Sequence, residues 1–145
     1  MSQADDAVQL FRDGLSCSQA VFTAFAPSLG VDPAEAVRIA AGFGGGMHIG
    51  GTCGAATGAV LVLGLRYAGD DCSADRHAVM AAVESFYARF LERVGATDCP
   101  AILECDVRTS EGSEFMREHG LREARCVPAV RAAARILEEM LEAGD

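Results

Sequence analysis

The stretch from Ile39 to Leu65 constrains the fold more than any other part of the chain, because it contains nine glycines and no charged residue. Glycines crowd between Gly42 and Gly51, where they predict a loop. From Cys53 to Tyr67 the residues are small and then aliphatic, with no polar face before Arg66. Such a helix is stable only when other helices surround it, and it is too short to cross a membrane.

Helical spacing of apolar residues dominates the rest of the sequence, and no segment alternates in the manner of a strand. A Ser16-x-x-Gln19 capping box and Asp32 followed by Pro33 mark two helix starts. The predicted helices cover about 4–11, 16–25, 33–41, 53–67, 73–94, 99–105, 113–119 and 127–142, with Thr52, Ser73 and Thr97 or Asp98 as further N-caps. We expect residues 1–145 to form one all-α domain, a bundle of about six or seven helices around a central apolar helix starting at Cys53.

The charge pattern argues against nucleic acid and membrane partners. The chain carries 21 acidic and 12 basic residues, a formal net charge of −9, and it contains no lysine. Without a basic cluster it offers little to phosphate groups or anionic lipid. The N-terminal residues form no signal peptide, so we expect a cytoplasmic protein.

Six cysteines stand out in a chain of this length. In a cytoplasmic protein they favour metal or redox chemistry over structural disulfides. Four of them, Cys17, Cys53, Cys99 and Cys126, occupy predicted helix starts, where unpaired N–H groups and the helix dipole lower the pKa of a thiol. A thiolate is both the nucleophile of disulfide exchange and the ligand of iron–sulfur and zinc sites. Cys72, in an acidic loop, has the character of an ordinary thiol.

The glycine loop has two interpretations that the sequence leaves open. Its N–H groups could surround an anionic centre beside Cys53, or its glycines could allow helices to pack closely. The candidate cofactor-binding glycines are Gly44, Gly45, Gly46, Gly51 and Gly54. No register gives the dinucleotide-binding pattern G-x-G-x-x-G, and a P-loop fails for want of lysine.

Three segments resemble the C_GCAxxG_C_C family of redox-active proteins. They are Gly14-Leu15-Ser16-Cys17-Ser18-Gln19-Ala20-Val21, then Gly51-Thr52-Cys53-Gly54-Ala55-Ala56-Thr57-Gly58-Ala59 after Gly42-Phe43-Gly44-Gly45-Gly46-Met47, and finally Cys99-Pro100-Ala101-Ile102-Leu103-Glu104-Cys105-Asp106 with Cys126. The order Cys-Gly-Ala departs from the Gly-Cys-Ala of the family name. Similar domains are associated with split-Soret-type cytochromes, so the resemblance implies electron transfer and an iron–sulfur cluster.

The leading hypothesis is therefore a redox protein that binds a metal centre, an iron–sulfur cluster, for electron transfer with an unknown partner protein. Its metal ligands would be Cys53, Cys99, Cys105 and Cys126, with Cys17 as the rival fourth ligand. The alternative is a thiol/disulfide oxidoreductase in which Cys53 is the catalytic nucleophile and Cys99 or Cys105 resolves the mixed disulfide. A structural zinc, no metal at all, and a homodimer that shares thiolates also stay open.

Overall fold

A computed structural model describes residues 2–70 and 72–143, and in these two ranges the chain is an all-α bundle. The eight α-helices are α1 (Gln3–Arg12), α2 (Cys17–Phe25), α3 (Pro33–Ala40), α4 (Gly54–Tyr67), α5 (Cys72–Val94), α6 (Cys99–Leu103), α7 (Ser110–Glu118) and α8 (Val127–Glu142). The predicted fold class is confirmed. The eight helices correspond to the eight predicted ranges, one or two more than the expected count of about six or seven.

Two helix starts form as the local capping chemistry predicts. Ser16 accepts a hydrogen bond from the N–H of Gln19, whose side chain reaches back to the N–H of Ser16. The Asp32 carboxylate accepts from the N–H of Ala34, with Pro33 in the first turn. These contacts satisfy N–H groups that a helix start leaves unpaired, so both boundaries are fixed by a few neighbouring residues.

Other boundaries differ from the prediction by one to three residues. Cys53 itself, rather than Thr52, is the N-cap of α4. Helix α7 begins at Ser110 because Thr109 caps it by accepting from the N–H of Gly112, an interaction the sequence pattern did not indicate.

Helix α6 ends at Leu103, where Glu104 adopts a left-handed conformation with φ of 58°. Helix α5 begins at Cys72, one residue before the predicted start at Ser73. The side chain of Cys72 and residues 144–145 lie outside the described part.

The central position predicted for α4 is also confirmed. This helix packs on α2, α5 and α8, and its first half is buried on all sides. Gly54 and Gly58, one turn apart, face the start of α2, where a β-carbon at either position would lie within about 3.2 Å of backbone atoms of Ser18. Two helices can approach this closely only where one of them has no side chain. The close approach sets Cys53, at the start of α4, beside Cys17, at the start of α2.

A single hydrophobic core holds the bundle together. Its largest fully buried side chains come from five of the helices: Phe11, Phe22, Phe25, Phe86, Phe90, Leu63, Ile136, Leu137 and Met140. Helix α8 buries its inner face against α1, α4 and α5 and so closes the bundle. Among the helices described, none is both long enough and apolar enough to span a bilayer.

Candidate thiol site

A short backbone pairing brings Cys53 and Cys99 together. The segments before α4 and α6 form one antiparallel bridge between Thr52 and Asp98. On one side of it the N–H of Cys53 donates to the carbonyl of Thr97 at 2.8 Å, and on the other the N–H of Cys99 donates to the carbonyl of Gly51 at 2.9 Å. Both cysteines are buried, so the bridge fixes two thiols from distant parts of the chain in one water-poor region.

A cavity of about 160 Å³ lies between the starts of α2 and α6 and the turn before α8. Its polar lining includes Cys17, Cys99, Cys126 and Arg122, and apolar side chains such as Phe11 and Met116 complete the wall. Cys53 lies against this group, since its thiol interacts electrostatically with both Cys17 and Cys99. Four cysteines from separate elements thus share one site.

Cys17 is the thiol in this site that most readily becomes a thiolate. Its pKa is lowered to about 7, chiefly because the thiol of Cys126 donates a hydrogen bond to it. The N–H groups of Cys17 itself and of Gly45, with the positive charge of Arg122, act in the same direction and together outweigh burial. This is the behaviour predicted for a thiol at a helix start.

The other three thiols behave in the opposite way, which corrects the expectation of a lowered pKa at every helix start. Burial, then the charge of Cys17, raises the pKa of Cys53 to about 12, although the N–H groups of Ala55 and Ala56 oppose the shift. Burial likewise raises the pKa of Cys99 to about 11. The pKa of Cys126 rises because its proton is held in the hydrogen bond to Cys17. Desolvation and repulsion between neighbouring sulfurs therefore exceed the effect of the helix ends.

Cys126 also differs in backbone setting from the prediction. It ends a wide helical turn, Arg122–Cys126, that runs directly into α8. The N–H of Val127 donates to the carbonyl of Arg122, so the start of α8 is not an open helix end. Unpaired N–H groups therefore stabilise a thiolate less at Cys126 than at the start of α2.

Cys105 stands apart from the four. It follows α6 in a loop, is partly exposed, and does not line the cavity. Burial and the neighbouring Asp106 raise the pKa of its thiol, and its link to the site is an electrostatic interaction with Cys99. Of the five candidate ligands, the structure brings together Cys17, Cys53, Cys99 and Cys126 and leaves Cys105 at the edge.

The thiols are separate in the structure. The five cysteines whose side chains are described are all free. Within residues 2–70 and 72–143, no three His, Cys, Asp or Glu side chains are placed so that they could hold a metal ion as they stand. Closing the four thiols on a common centre therefore requires their side chains to turn toward one another.

The glycine loop packs tightly around the site. A β-carbon at Gly44 would lie 2.9 Å from the Ser16 side chain, and one at Gly46 would lie 2.8 Å from the backbone of Gly51 and 3.0 Å from Cys99. A β-carbon at Gly54 would lie 3.2 Å from that of Cys17. These glycines serve close packing between the segments that carry cysteines, while Gly45 adds the N–H bond to Cys17.

The loop's backbone is left-handed over four consecutive residues, Gly45 to His48, with φ between 57° and 68°. Met47 and His48 adopt this conformation although side chains disfavour it. A hydrogen bond from the N–H of Gly51 to the carbonyl of Gly46, at 2.9 Å, closes the turn. The turn directs Met47, His48 and Ile49 to the surface, so His48 is exposed and does not line the thiol cavity.

Two residues near the site carried no clear signal in the sequence. Arg122 lines the cavity, and its position four residues before Cys126 in a helical turn is the pattern that could have revealed it. Tyr87 on α5 forms a hydrogen bond with Thr52 and so supports the segment before Cys53. Burial raises the pKa of the Tyr87 hydroxyl. Only tertiary packing relates Tyr87 to Thr52.

The bundle and its cavity define an all-α protein with a site of four cysteines, three of them buried. Cysteines are the side chains used for thiol redox chemistry and for soft metals. The chain belongs to the family described as "Putative redox-active protein (C_GCAxxG_C_C)", whose model matches residues 15–140. Comparison with curated proteins and with solved structures gave no match. The resemblance stated from the cysteine boxes is thereby confirmed.

Proposed function

We propose that this protein transfers electrons at a redox centre held by the thiolates of Cys17, Cys53, Cys99 and Cys126, and that the centre is an iron–sulfur cluster. The supporting observation is the convergence of these four side chains from separate elements. Disulfide exchange needs two cysteines, whereas four thiolates are the ligand set of iron–sulfur clusters and of structural zinc. Because zinc has no redox chemistry, the family's redox-active description favours iron.

The residues present fit such a centre chemically. All four donors are soft sulfur atoms, and the cavity lined by Cys17, Cys99 and Cys126 has room for a group larger than one water molecule. An iron–sulfur cluster supplies one-electron exchange when bound. The chain's own contribution is a wall of apolar side chains that limits water, and the N–H of Gly45, which binds the sulfur of Cys17.

In this proposal the five candidate glycines have two roles. Gly45 donates its N–H to a ligand sulfur, and hydrogen bonds of this kind tune the potential of a sulfur-ligated centre. Gly44, Gly46, Gly51 and Gly54 allow the segments that carry the cysteines to approach one another. A side chain at Gly46 would push against the loop and against Cys99 at once, which would widen the site.

The test is anaerobic purification, with reconstitution by iron and sulfide, followed by visible spectroscopy and by iron and acid-labile sulfide analysis. We expect a coloured protein that loses most of its iron in Cys53→Ser and in Cys126→Ser. Cys105→Ser is the matched control and should retain iron, because Cys105 is partly exposed in the loop after α6, whereas Cys53 is buried beside Cys17 and Cys99. A colourless, iron-free wild-type protein would contradict the proposal, and so would equal loss of iron in Cys105→Ser and Cys53→Ser.

A second function, thiol/disulfide exchange, is favoured by one observation: the hydrogen bond from the thiol of Cys126 to Cys17. In this mechanism the Cys17 thiolate attacks a disulfide of a partner, a mixed disulfide forms, and one partner thiolate leaves. Cys126 then attacks the Cys17 sulfur and releases the second partner thiolate. Two electrons pass from the two protein thiols to the partner, which takes up two protons.

This assignment differs from the one expected from sequence, in which Cys53 attacks and Cys99 or Cys105 resolves. The burial that raises the pKa of Cys53 disfavours its thiolate, whereas Cys17 is ionised near neutral pH. Oxidation of metal-free protein with an excess of a small disulfide, followed by peptide mapping, distinguishes the pairs. A Cys17–Cys126 disulfide that dithiothreitol reverses supports exchange through this pair. A Cys53–Cys99 product would support attack by Cys53 instead.

A further inference from the structure

Arg122 lies at the wall of the thiol cavity, on the side formed by the turn that ends at Cys126. Its Nη2 atom donates to the carbonyl oxygen of Phe11 at 2.5 Å and to that of Leu15 at 3.1 Å. The guanidinium carbon stands 3.7 Å from the centre of the Phe11 ring, which is itself buried. Two carbonyls and one aromatic face therefore hold the cation in place.

The charge of Arg122 has no carboxylate partner within residues 2–70 and 72–143. Neighbouring arginines do have one, since Arg12 pairs with Glu123 and Arg125 pairs with Glu104. Carbonyl groups and a ring face stabilise a guanidinium without cancelling its net charge. The positive charge at the cavity wall thus remains available to the sulfur atoms.

The group that uses this charge is Cys17. Cys17 and Arg122 line the same cavity. Both residues are tied to the same stretch of chain, because Arg122 binds the carbonyl of Leu15 and Ser16 caps the helix that Cys17 begins. Moving Arg122 would therefore change the electrostatic field at Cys17 and the position of its helix start.

From this geometry we infer that Arg122 is a positioning residue of the thiol site, which balances the negative charge gathered there and anchors the start of α2. The inference rests on the proposed use of these four thiols, but not on which centre they hold. It extends the site beyond its sulfur donors. It also gives the cavity a defined electrostatic character: a small anion can approach Cys17 despite the net charge of −9 on the chain.

The experiment compares two alkylating reagents on reduced, metal-free protein. Iodoacetate is an anion and iodoacetamide is neutral, so the ratio of their rates at Cys17, measured by peptide mapping, reports local charge. We expect Arg122→Gln to lower the ratio of iodoacetate to iodoacetamide by about threefold to tenfold, the effect of one unit charge a few ångströms away near water. A purely structural change would alter both rates together and leave the ratio unchanged.

Control variants distinguish an effect of the Arg122 charge from an effect on folding. Arg122→Lys keeps the charge and should remain within about twofold of the wild-type ratio, so it tests the inference even if Arg122→Gln fails to fold. Arg117→Gln removes the same charge from an exposed arginine that pairs with Glu114, and should not change the ratio. Cys105 in each sample is the internal reference. An unchanged ratio in Arg122→Gln, or a Lys variant that behaves like the Gln variant, would overturn the inference.

Iron content of the same variants distinguishes this inference from the proposed function. If wild-type protein binds no iron but the alkylation ratio falls in Arg122→Gln, the cluster proposal fails and the role of Arg122 stands. If wild-type protein binds iron and the ratio does not change, Arg122 has only a structural role.

Discussion

Gly58 of α4 lies directly against the backbone of Ser18 in α2, so that a β-carbon at Gly58 would stand 2.7 Å from the Ser18 carbonyl oxygen. The atoms on both sides belong to helix backbone and cannot turn away. This contact sets the distance between the helices that begin at Cys17 and Cys53. Substitution of Gly58 therefore tests how the packing of α2 on α4 holds the two thiols together.

We predict that Gly58→Ala lowers the free energy of unfolding by about 1–3 kcal/mol, because α2 and α4 must separate to admit a methyl group. Gly64→Ala, on the same helix, is the control. A β-carbon at Gly64 would meet no atom within 4 Å, so the substitution should be neutral or stabilising by up to about 1 kcal/mol. Urea unfolding of both variants measures the difference, and equal effects would contradict the packing argument.

Two buried threonines give a second pair of contrasting variants. Thr57 donates from Oγ1 to the carbonyl of Phe43 at 3.1 Å and so attaches the glycine loop to α4. Thr57→Val should cost about 1–2 kcal/mol, because that carbonyl loses its donor. Thr23 has similar burial, but its Oγ1 has no hydrogen-bond partner in the described structure. Thr23→Val should therefore leave stability unchanged or raise it by about 1 kcal/mol. Thermal unfolding measures both effects. Midpoint temperatures that shifted in the same direction in the two variants would contradict this argument.

The stability of metal-free protein should depend on pH through its thiols. The pKa of Cys17 is lowered to about 7, so its contribution grows as pH rises from 7 to 9, where the unfolded chain still holds the proton. The pKa values of Cys53 and Cys99 are raised to about 12 and 11, so their contribution is intact below pH 9 and is lost as pH rises toward 11. The thiol contribution to stability should therefore peak near pH 9.

Urea unfolding between pH 7 and pH 11, in reducing and metal-free buffer, measures this dependence. Cys53→Ala should weaken the loss of stability above pH 9, since it removes a thiol whose pKa is raised to about 12. Cys105→Ala, at the edge of the site, is the matched control. The prediction fails if Cys53→Ala leaves the alkaline slope of the wild-type protein unaltered.

Metal binding should release protons if four thiolates hold the ion. At pH 7 the raised pKa values keep Cys53, Cys99 and Cys126 protonated, and Cys17, with a pKa of about 7, is about half protonated. Binding of Zn²⁺ as a redox-inactive probe should therefore release about three to four protons per site. Calorimetric titration in buffers of different ionisation enthalpy counts them. The Cys105→Ser variant should give the same number. Release of one proton or none would mean that the four thiols do not bind the ion together.

The helix starts could be predicted from sequence because their chemistry is local. Ser16 and Asp32 bond N–H groups two or three residues away, so their identity and spacing specify the boundary. The start of α7 lies three residues before the predicted Ser113, because Thr109 is the cap and Ser113 falls inside the helix. Fold class followed from these starts together with the apolar helix that has no exposed face.

The membership of the thiol site could be predicted only in part. Five cysteines were candidates. Their positions at predicted helix starts distinguished Cys17, Cys53, Cys99 and Cys126 from Cys105, but the spacing of the five did not show which of them share a site. The separation depends on the bridge between Thr52 and Asp98 and on the turn before α8, which are both tertiary features. The raised pKa values of Cys53, Cys99 and Cys126 escaped prediction for the same reason, since burial and neighbouring sulfurs act only after the chain has folded.

The left-handed turn from Gly45 to His48 was also beyond sequence reasoning. Glycine at positions 45 and 46 is compatible with a left-handed backbone, but the residue types of Met47 and His48 do not predict one. These two residues adopt it because the hydrogen bond from the N–H of Gly51 to the carbonyl of Gly46 encloses them in the turn. Both side chains point outward near the cysteines.

The bridge between Thr52 and Asp98 joins parts of the chain that are separated by the whole of α4 and α5. Cys17 enters the site from near the beginning of the chain, and Cys126 enters it from just before the last helix. During synthesis no growing fragment can therefore present all four sulfurs before Cys126 is made, and a proteolytic piece retains them only if it spans residues 17–126. If the proposed centre forms, its assembly would therefore wait until the chain has been made as far as Cys126, after seven of the eight helices.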